Sequence, residues 1–518
     1  MALTGTKMAM ISTALPVMLV AIGVADAIHI LTDYYHRLRA GEQVQTAIRT
    51  VLRHIGTAIV LTSVTTSVGF LSLTTSPVRQ VKEFGLFVGF GVMVALVVSV
   101  TLIPAVLKLL GPLKGVTKAE TGDSAVGDEQ SALISRLSKY LGDLGRWVTD
   151  NPIKIFVVTI LLFGLAVVGM TRIRVETKNL RIFPPNSEVL KSTDLIDQYF
   201  GGSESLSIIV DSDIKEPEVL NQILELQEEM EELPKVGHTV SIADYVAEIN
   251  KALHDNDPSQ RKIPDTRNAV AQEILLYEMS GDPSDFEQVV NYNYDRARIM
   301  VRLSHTSSAE LRGIISKVED LAQSIGGDTL KVQITGSAYL FMVLSDLLMQ
   351  GQITSLLIAL LAVALIIGLI FRSFYLGLLS AVPLGLTLSI NFGLMGWAGI
   401  ALDTATTLVA SIAIGIGIDY TIHLVSRFRL ERKKGNSPRL ALIKATKTTG
   451  EAITYNAIAV AVGFGVLLTS TFTPVATLGA LVALTMVISA SAALTILSAS
   501  LFMLTRTRDG EVVEESQT

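Results

Sequence analysis

Nine stretches of this chain are each apolar for about 20 residues, the length at which a helix crosses the hydrocarbon core of a bilayer. They fall at 8–31, 57–76, 84–110, 153–171, 352–371, 375–397, 402–425, 451–471 and 478–504 of the 518 residues. The pattern implies a membrane α-helical bundle. Composition agrees: 49% of residues are hydrophobic and 17% charged, with a mean hydropathy of +0.49, too apolar for an ordinary soluble protein of this size. The net charge of −6 is mild and points to no nucleic-acid partner. With no cysteine, disulfides, thiolate metal sites and cysteine nucleophiles are excluded. The first stretch contains Asp26 and lacks a charged n-region, so it does not read as a cleavable signal peptide.

Lysine and arginine placement sets the orientation. Arg37, Arg39, Arg49 and Arg53 follow the first stretch, and Arg427, Arg429, Arg432, Lys433, Lys434, Arg439, Lys444 and Lys447 follow the seventh, so both loops read as cytoplasmic. Arg506 and Arg508 put the C-terminus inside as well. Counting back, 172–350 lies outside, and so does the N-terminus; Arg79 and Lys82 go against the bias but are outweighed.

An aspartate interrupts the seventh stretch at Gly415-Ile-Gly-Ile-Asp419-Tyr420-Thr-Ile-His423, and a near-copy, Gly23-Val-Ala-Asp26-Ala-Ile-His29, stands 394 residues earlier. At that constant offset 23–85 aligns with 417–479 without a gap, matching Gly41 with Gly435, Gly56 with Gly450, Gly69 with Gly463 and Gly85 with Gly479. Shared apolar bias would pair leucines, not a register of glycines and a histidine. Basic flanks on the same side make the repeats parallel. Upstream of Asp419 lie a span, an outer domain and two more spans, but only about 25 residues precede Asp26. A symmetric molecule would need about 300 more residues at the front, so the chain reads as truncated or as one partner of a split pair.

The domain reading is a first transmembrane half at 1–110 (incomplete, three spans), a polar cytoplasmic linker at 111–150, a span at 151–171, an extracytoplasmic domain at 172–350, a second transmembrane half of five spans at 351–506, and a cytoplasmic tail at 507–518. Within 172–350, Leu206–Val210, Ala297–Leu303 and Leu330–Ile334 read as strands. Pro217 opens an amphipathic helix, and Ser307 with Glu310 forms a capping box for another that is closed by Gly326-Gly327. Strand–helix–strand, twice, predicts an α+β sandwich of the split βαβ, ferredoxin-like type. Residues 250–295 read as a polar, irregular insertion, and a helical run from Ala338 leads into the span at 352.

The Gly-Ile-Asp-Tyr signature after a large outer βαβ domain, duplicated in parallel, resembles the RND superfamily. The forms Asp419-Tyr-Thr-Ile-His423 and Ala25-Asp-Ala-Ile-His29 are most similar to its MMPL-type, hopanoid-exporter-like branch. The resemblance covers essentially the whole chain. It implies twelve spans in a complete protein, these nine being the fourth to twelfth, and a fold shared with sterol-sensing-domain and Patched-like proteins. It also implies proton-driven export of lipids or other amphiphiles across the cell (inner) membrane by a secondary active transporter, not an enzyme. The alternatives are a non-transporting scaffold or sensor of the same fold, or a fragment that needs a separate N-terminal half. No cofactor or metal is expected. Pairing His29 with His423 sets Ala25 opposite Asp419 and Asp26 opposite Tyr420, so the carboxylates are offset by one residue, about 100° around the helix.

A carboxylate at bilayer depth costs about 2.5–3.5 kcal/mol on insertion scales and by default marks a proton, ion or substrate path. Asp26 and Asp419 are therefore the candidate proton carriers, the bland reading being a helix-packing hydrogen bond. His29 and His423, at i+3 and i+4 from their aspartates, share a helix face with them and read equally as relay or as structure. Tyr420 is a candidate polar partner for a carboxylate across the bundle. Thr62, Ser63, Thr65 and Thr66 crowd the second span, with Asn456 in the place of Thr62 in the eighth. Thr62, Thr66 and Asn456 are candidate supports for a carboxylate, although such groups are more often packing contacts. Asp403 reads as a solvated or capping residue. Gly415 and Gly417 read as sites of close packing. No phosphate-binding loop and no hydrolase grouping is present.

Overall fold

The computed structural model describes residues 4–54, 56–111, 125–175, 183, 187–280, 282, 284–327, 329–403 and 405–505. The chain divides into two units, Met1–Val175 with Leu347–Thr518, and Glu176–Asp346. The first begins with α1 (Leu15–Arg39), α2 (Val44–His54), α3 (Gly56–Leu71), α4 (Arg79–Leu110), α5 (Ala125–Asp150) and α6 (Pro152–Met170). The second holds α7 (Glu188–Tyr199), β1 (Glu204–Asp211), α8 (Pro217–Glu231), β2 (Val236–Val240), α9 (Ile242–Leu253), α10 (Arg267–Ser280), α11 (Ser284–Glu287), β3 (Arg296–Leu303), α12 (Ser308–Gly326) and β4 (Lys331–Thr335). The chain continues as α13 (Ser337–Ile370), α14 (Phe374–Ala398), α15 (Thr406–Lys433), α16 (Pro438–Gly465) and α17 (Thr473–Ala492). A π-helical turn at Ala493–Leu497 follows α17.

Among the described residues nine helices are long and apolar enough to cross a membrane, one for each apolar stretch. This is a multi-pass membrane protein. Several helices outrun their stretches: α1 continues through Asp33, His36 and Arg37, and α16 begins at Pro438 rather than near 451.

The duplication survives as geometry. At the offset of 394, the last residue of α1, Arg39, corresponds to Lys433 of α15, and the first of α4, Arg79, to Thr473 of α17. The 3₁₀ turns Ser72–Thr75 and Val466–Thr469 correspond residue for residue. Gly41 and Gly435, just past the ends of α1 and α15, both take positive φ, +89° and +84°, a conformation that glycine adopts without the penalty of a Cβ. The packing is exchanged between copies: α15 packs on α3, and α1 packs on α16. That crossed arrangement is what a parallel pair related by a twofold produces.

Position in the bundle explains the composition of each helix. α15 carries several polar groups and every residue from Thr406 to Val425 is buried, so these groups are shielded from lipid by α3, α14, α16 and α17. Without a hydrophobic driving force between helices in lipid, contacts rely on small residues. A Cβ on Gly169 of α6 would come within 2.5 Å of Trp397, and one on Gly393 of α14 within 2.5 Å of Ala166 Cα. Trp397 fastens the same contact, its Nε1 donating to Leu165 O at 3.1 Å while the Arg172 guanidinium stacks over its ring at 4.0 Å.

Of the stretch read as a linker, residues 112–124 lie outside the described part. Residues 125–150 form α5, which packs on α16, where Gly145 meets Ile443 and Thr446. The tail at 507–518, with Arg506 and Arg508, also lies outside the described residues.

The Glu176–Asp346 unit is an antiparallel sheet of order β2–β3–β1–β4, the split βαβ arrangement. Ile208, Val210, Ile299 and Val301 line its inner face against Leu220, Ile223 and Leu226 of α8 and Leu311 and Val318 of α12. The capping box at Ser307 and Glu310 is formed, with Ser307 Oγ accepting from Glu310 N and Glu310 Oε2 accepting from Ser307 N. Residues 250–295 are a correction to the sequence reading. They carry α10 and α11, and Ile263, Val270, Ile274, Phe286, Val289 and Val290 join the core. Their polar outer faces masked the short apolar spacing, Val270 to Ile274, that anchors them.

Candidate functional site

The repeat brings its two aspartates together. Asp419 enters from α15, and Asp26 from α1 lies within Coulombic reach of it; they are 6% and 5% exposed. Gly69 of α3 lies against Gly415, a close approach that brings Thr66, one turn along α3, over the α15 backbone. Thr66 Oγ1 is within hydrogen-bonding distance of both Gly415 O and Asp419 Oδ1, the latter at 3.4 Å. Ser63, one turn further along α3, adjoins Asp26. Asp26 Oδ2 and Ser63 Oγ are buried with no hydrogen-bond partner among the described residues. One carboxylate is thus steadied by a threonine, while the other keeps a free oxygen.

The second layer lies one turn along the helices. The imidazoles of His29 and His423 stack with centroids 3.9 Å apart and planes 13° from parallel. Two unit charges at about 4 Å repel by about 4 kcal/mol at an effective dielectric of 20, which disfavours a positive charge on both rings at once. His29 Nε2 is buried and unpartnered, as are both side-chain polar atoms of Asn456 and the Thr421 hydroxyl. These groups supply donors and acceptors along the helix contacts at the centre of the bundle.

Two expectations are corrected. The Tyr420 hydroxyl donates to Met486 Sδ at 3.7 Å rather than to a carboxylate, because a residue next to Asp419 in a helix is turned about 100° away from it. Thr62 Oγ1 donates to Ile59 O at 2.9 Å within its own helix, leaving no proton to offer a carboxylate. Asn456 and Thr66 do stand in the core of the bundle. Gly415 and Gly417 are sites of close packing, where an added Cβ would meet Phe70 at 2.8 Å and Ser489 Oγ at 2.5 Å. Asp403 caps the α15 entrance, accepting from Ala405 N at 2.9 Å and Thr406 N at 2.7 Å.

Sequence alone does not reveal a further buried carboxylate on α16. Glu451 of α16 is 3% exposed, and its Oε2 lies 3.2 Å from His36 Nε2 of α1. Glu451 stands at the edge of an apolar stretch and His36 beyond one, so both read as belonging to the membrane border. The signal available was helical phase: His29 and His36 are seven residues apart on one face of α1.

The sequence profile of the MMPL family matches residues 2–147 and 181–513. Three curated relatives extend the comparison. The membrane protein MJ1562 of Methanocaldococcus jannaschii is 22% identical over 366 residues, 68% of this chain and 90% of its own length. A Mycobacterium leprae protein named "Probable trehalose monomycolate exporter MmpL3" is 21% identical over 490 residues, 87% of this chain. The apo-petrobactin exporter of Bacillus anthracis is 25% identical over 274 residues, 51% of this chain. The matches span 47% and 36% of these two exporters' own lengths.

Proposed function

The chain belongs to the MMPL family, and we propose that it works as a proton-driven exporter of lipids or other amphiphiles across the inner membrane. The observation that carries the reading is the pair of buried carboxylates, Asp26 and Asp419, contributed by equivalent helices of a duplicated unit and backed by the His29–His423 stack. A structural role alone gives no reason to bring two like charges together in a low-dielectric core, where their repulsion and desolvation both oppose folding. A pair that takes up and releases protons does.

In this mechanism protons from outside reach the Asp26–Asp419 pair. Neutralising the pair removes the repulsion between α1 and α15; releasing the protons restores it. Because α1 is packed on α16 and α15 on α3, a change at the pair shifts one copy of the repeat against the other. The histidine stack passes one proton at a time toward the basic, cytoplasmic ends of the helices. The named cargoes of the two exporter relatives, trehalose monomycolate and apo-petrobactin, differ in chemistry, so the substrate here is assigned only as amphiphilic.

The test is extrusion of a fluorescent lipid analogue into the lumen of inverted membrane vesicles under an imposed pH gradient, acid inside. Extrusion that stops with a protonophore and in Asp419→Asn supports the reading. Extrusion at the background rate of protein-free vesicles, with or without the gradient, refutes it.

A further inference from the structure

Glu451 takes no part in the two layers just described, yet it is one of the most deeply buried carboxylates in the membrane unit. It sits near the basic end of the bundle, and its hydrogen-bond partner is an imidazole rather than a guanidinium or ammonium group. The His36 side chain is 45% exposed while that of Glu451 is 3% exposed, so the pair runs from solvent into the bundle. Arg37, next to His36, is engaged by Asp33 at 2.9 Å and by Glu42 at 3.2 Å. On α15 the last turns carry an ion-paired group of their own, Arg427 and Lys434 with Glu431 at 3.1 and 2.9 Å.

We propose that Glu451, bridged to water by His36, is the inner outlet of the proton path, through which protons leave the histidine stack for the cytoplasm. The inference rests on the proton-coupled reading above. Three features carry it. His29 and His36 share one face of α1, two turns or about 10 Å apart, and α1 packs along α16. Asn456, on α16 about one and a half turns from Glu451, is fully buried with both amide atoms unpartnered; it offers the donor and the acceptor that a proton-carrying water requires. The outlet is also single. At the offset of 394, Glu451 corresponds to Thr57 and His36 to Leu430, so only one copy of the repeat provides it. The step is proton transfer alone: the Glu451 carboxylate accepts a proton from the inner side of the stack and yields it to His36, whose ring exchanges it with water.

The test is proton flux into liposomes holding the full chain, driven by a pH gradient, for wild type, Glu451→Gln, Glu451→Asp, His36→Gln and Asp419→Asn. Losing a proton-transfer group slows such steps by about a hundredfold or more, so Glu451→Gln falls near background, Glu451→Asp keeps most of the flux and His36→Gln shows a partial loss. The discriminating readout is chemical rescue. Formate trapped inside restores flux to Glu451→Gln, and imidazole restores it to His36→Gln, as expected of missing proton carriers but not of missing packing groups. Full flux in Glu451→Gln while Asp419→Asn is dead overturns the outlet and leaves the proton-coupled reading intact. Lost flux without rescue in a correctly folded Glu451→Gln also overturns it, in favour of a structural role. Absence of any Asp419-dependent flux in wild type overturns both.

Discussion

Replacing Gly85 or Gly479 by alanine should cost the same amount of stability, because the two positions are one contact built twice. A Cβ on Gly85 would stand 2.5 Å from Phe70 O and 2.6 Å from Leu73 Cβ. A Cβ on Gly479 would stand 2.6 Å from Phe464 O and 2.6 Å from Leu467 Cβ. Contacts under 3.0 Å do not persist, so in each case the hairpin of two helices must open by about 0.5 Å, and the nearest atom is a backbone oxygen that cannot rotate away. Overpacking of this kind costs about 1–3 kcal/mol, against a gain of about 1 kcal/mol in helix propensity from glycine to alanine. The internal control is Gly463, where a Cβ meets nothing within 4 Å, although its repeat partner Gly69 lies against Gly415. Thermal unfolding of the purified protein in detergent should show Gly85→Ala and Gly479→Ala lowered by similar amounts and Gly463→Ala unchanged or raised. Tolerance at one of the two equivalent sites with damage at the other would refute the claim that the copies share one geometry.

Two further outcomes follow from local contacts. Thr66→Val removes the hydroxyl that lies between Gly415 O and Asp419 Oδ1 and should slow proton flux about fivefold, the equivalent of ~1 kcal/mol, with Thr66→Ser close to wild type; a Thr66→Val rate equal to wild type would show that the threonine is a packing contact only. In the Glu176–Asp346 unit, burial works to raise the Asp197 pKa, but hydrogen bonds involving Ser203 and His305 outweigh it and hold the group below its usual range. Its stabilisation is therefore present above the unfolded-state pKa of about 3.9 and is lost as pH falls through the lower folded value. Hydrogen exchange of the sheet amides should show protection falling over that acid range in wild type and a flatter profile in Asp197→Asn; identical profiles would contradict the assignment.

The membrane bundle was legible because its signals are redundant. Nine apolar stretches set the helices, and a gap-free repeat fixed a register that the 3₁₀ turns, the glycines and the helix ends all keep. The βαβ order was legible from a proline, a capping box and period-two alternation, each tied to a local physical cause. Contacts across the bundle were less so. Asp26, Asp419, His29 and His423 were found because a charge in an apolar run is rare, but sequence could not show that the two rings would stack. Residue type alone points Tyr420 and Thr62 toward a carboxylate, whereas helical phase and a nearby carbonyl take them elsewhere. Glu451 and His36 escaped notice because hydropathy places the membrane boundary by composition, whereas burial is decided by the neighbouring helices. In the Glu176–Asp346 unit, polar outer faces around a few anchoring apolar residues hide α10 and α11.

The most direct test of the proton-coupled account is flux into liposomes holding wild type, Asp26→Asn or Asp419→Asn under an imposed pH gradient. The account predicts flux in wild type and loss in either variant, since both carboxylates belong to one site. Wild-type flux that survives in both variants, or that never rises above protein-free liposomes, would contradict it.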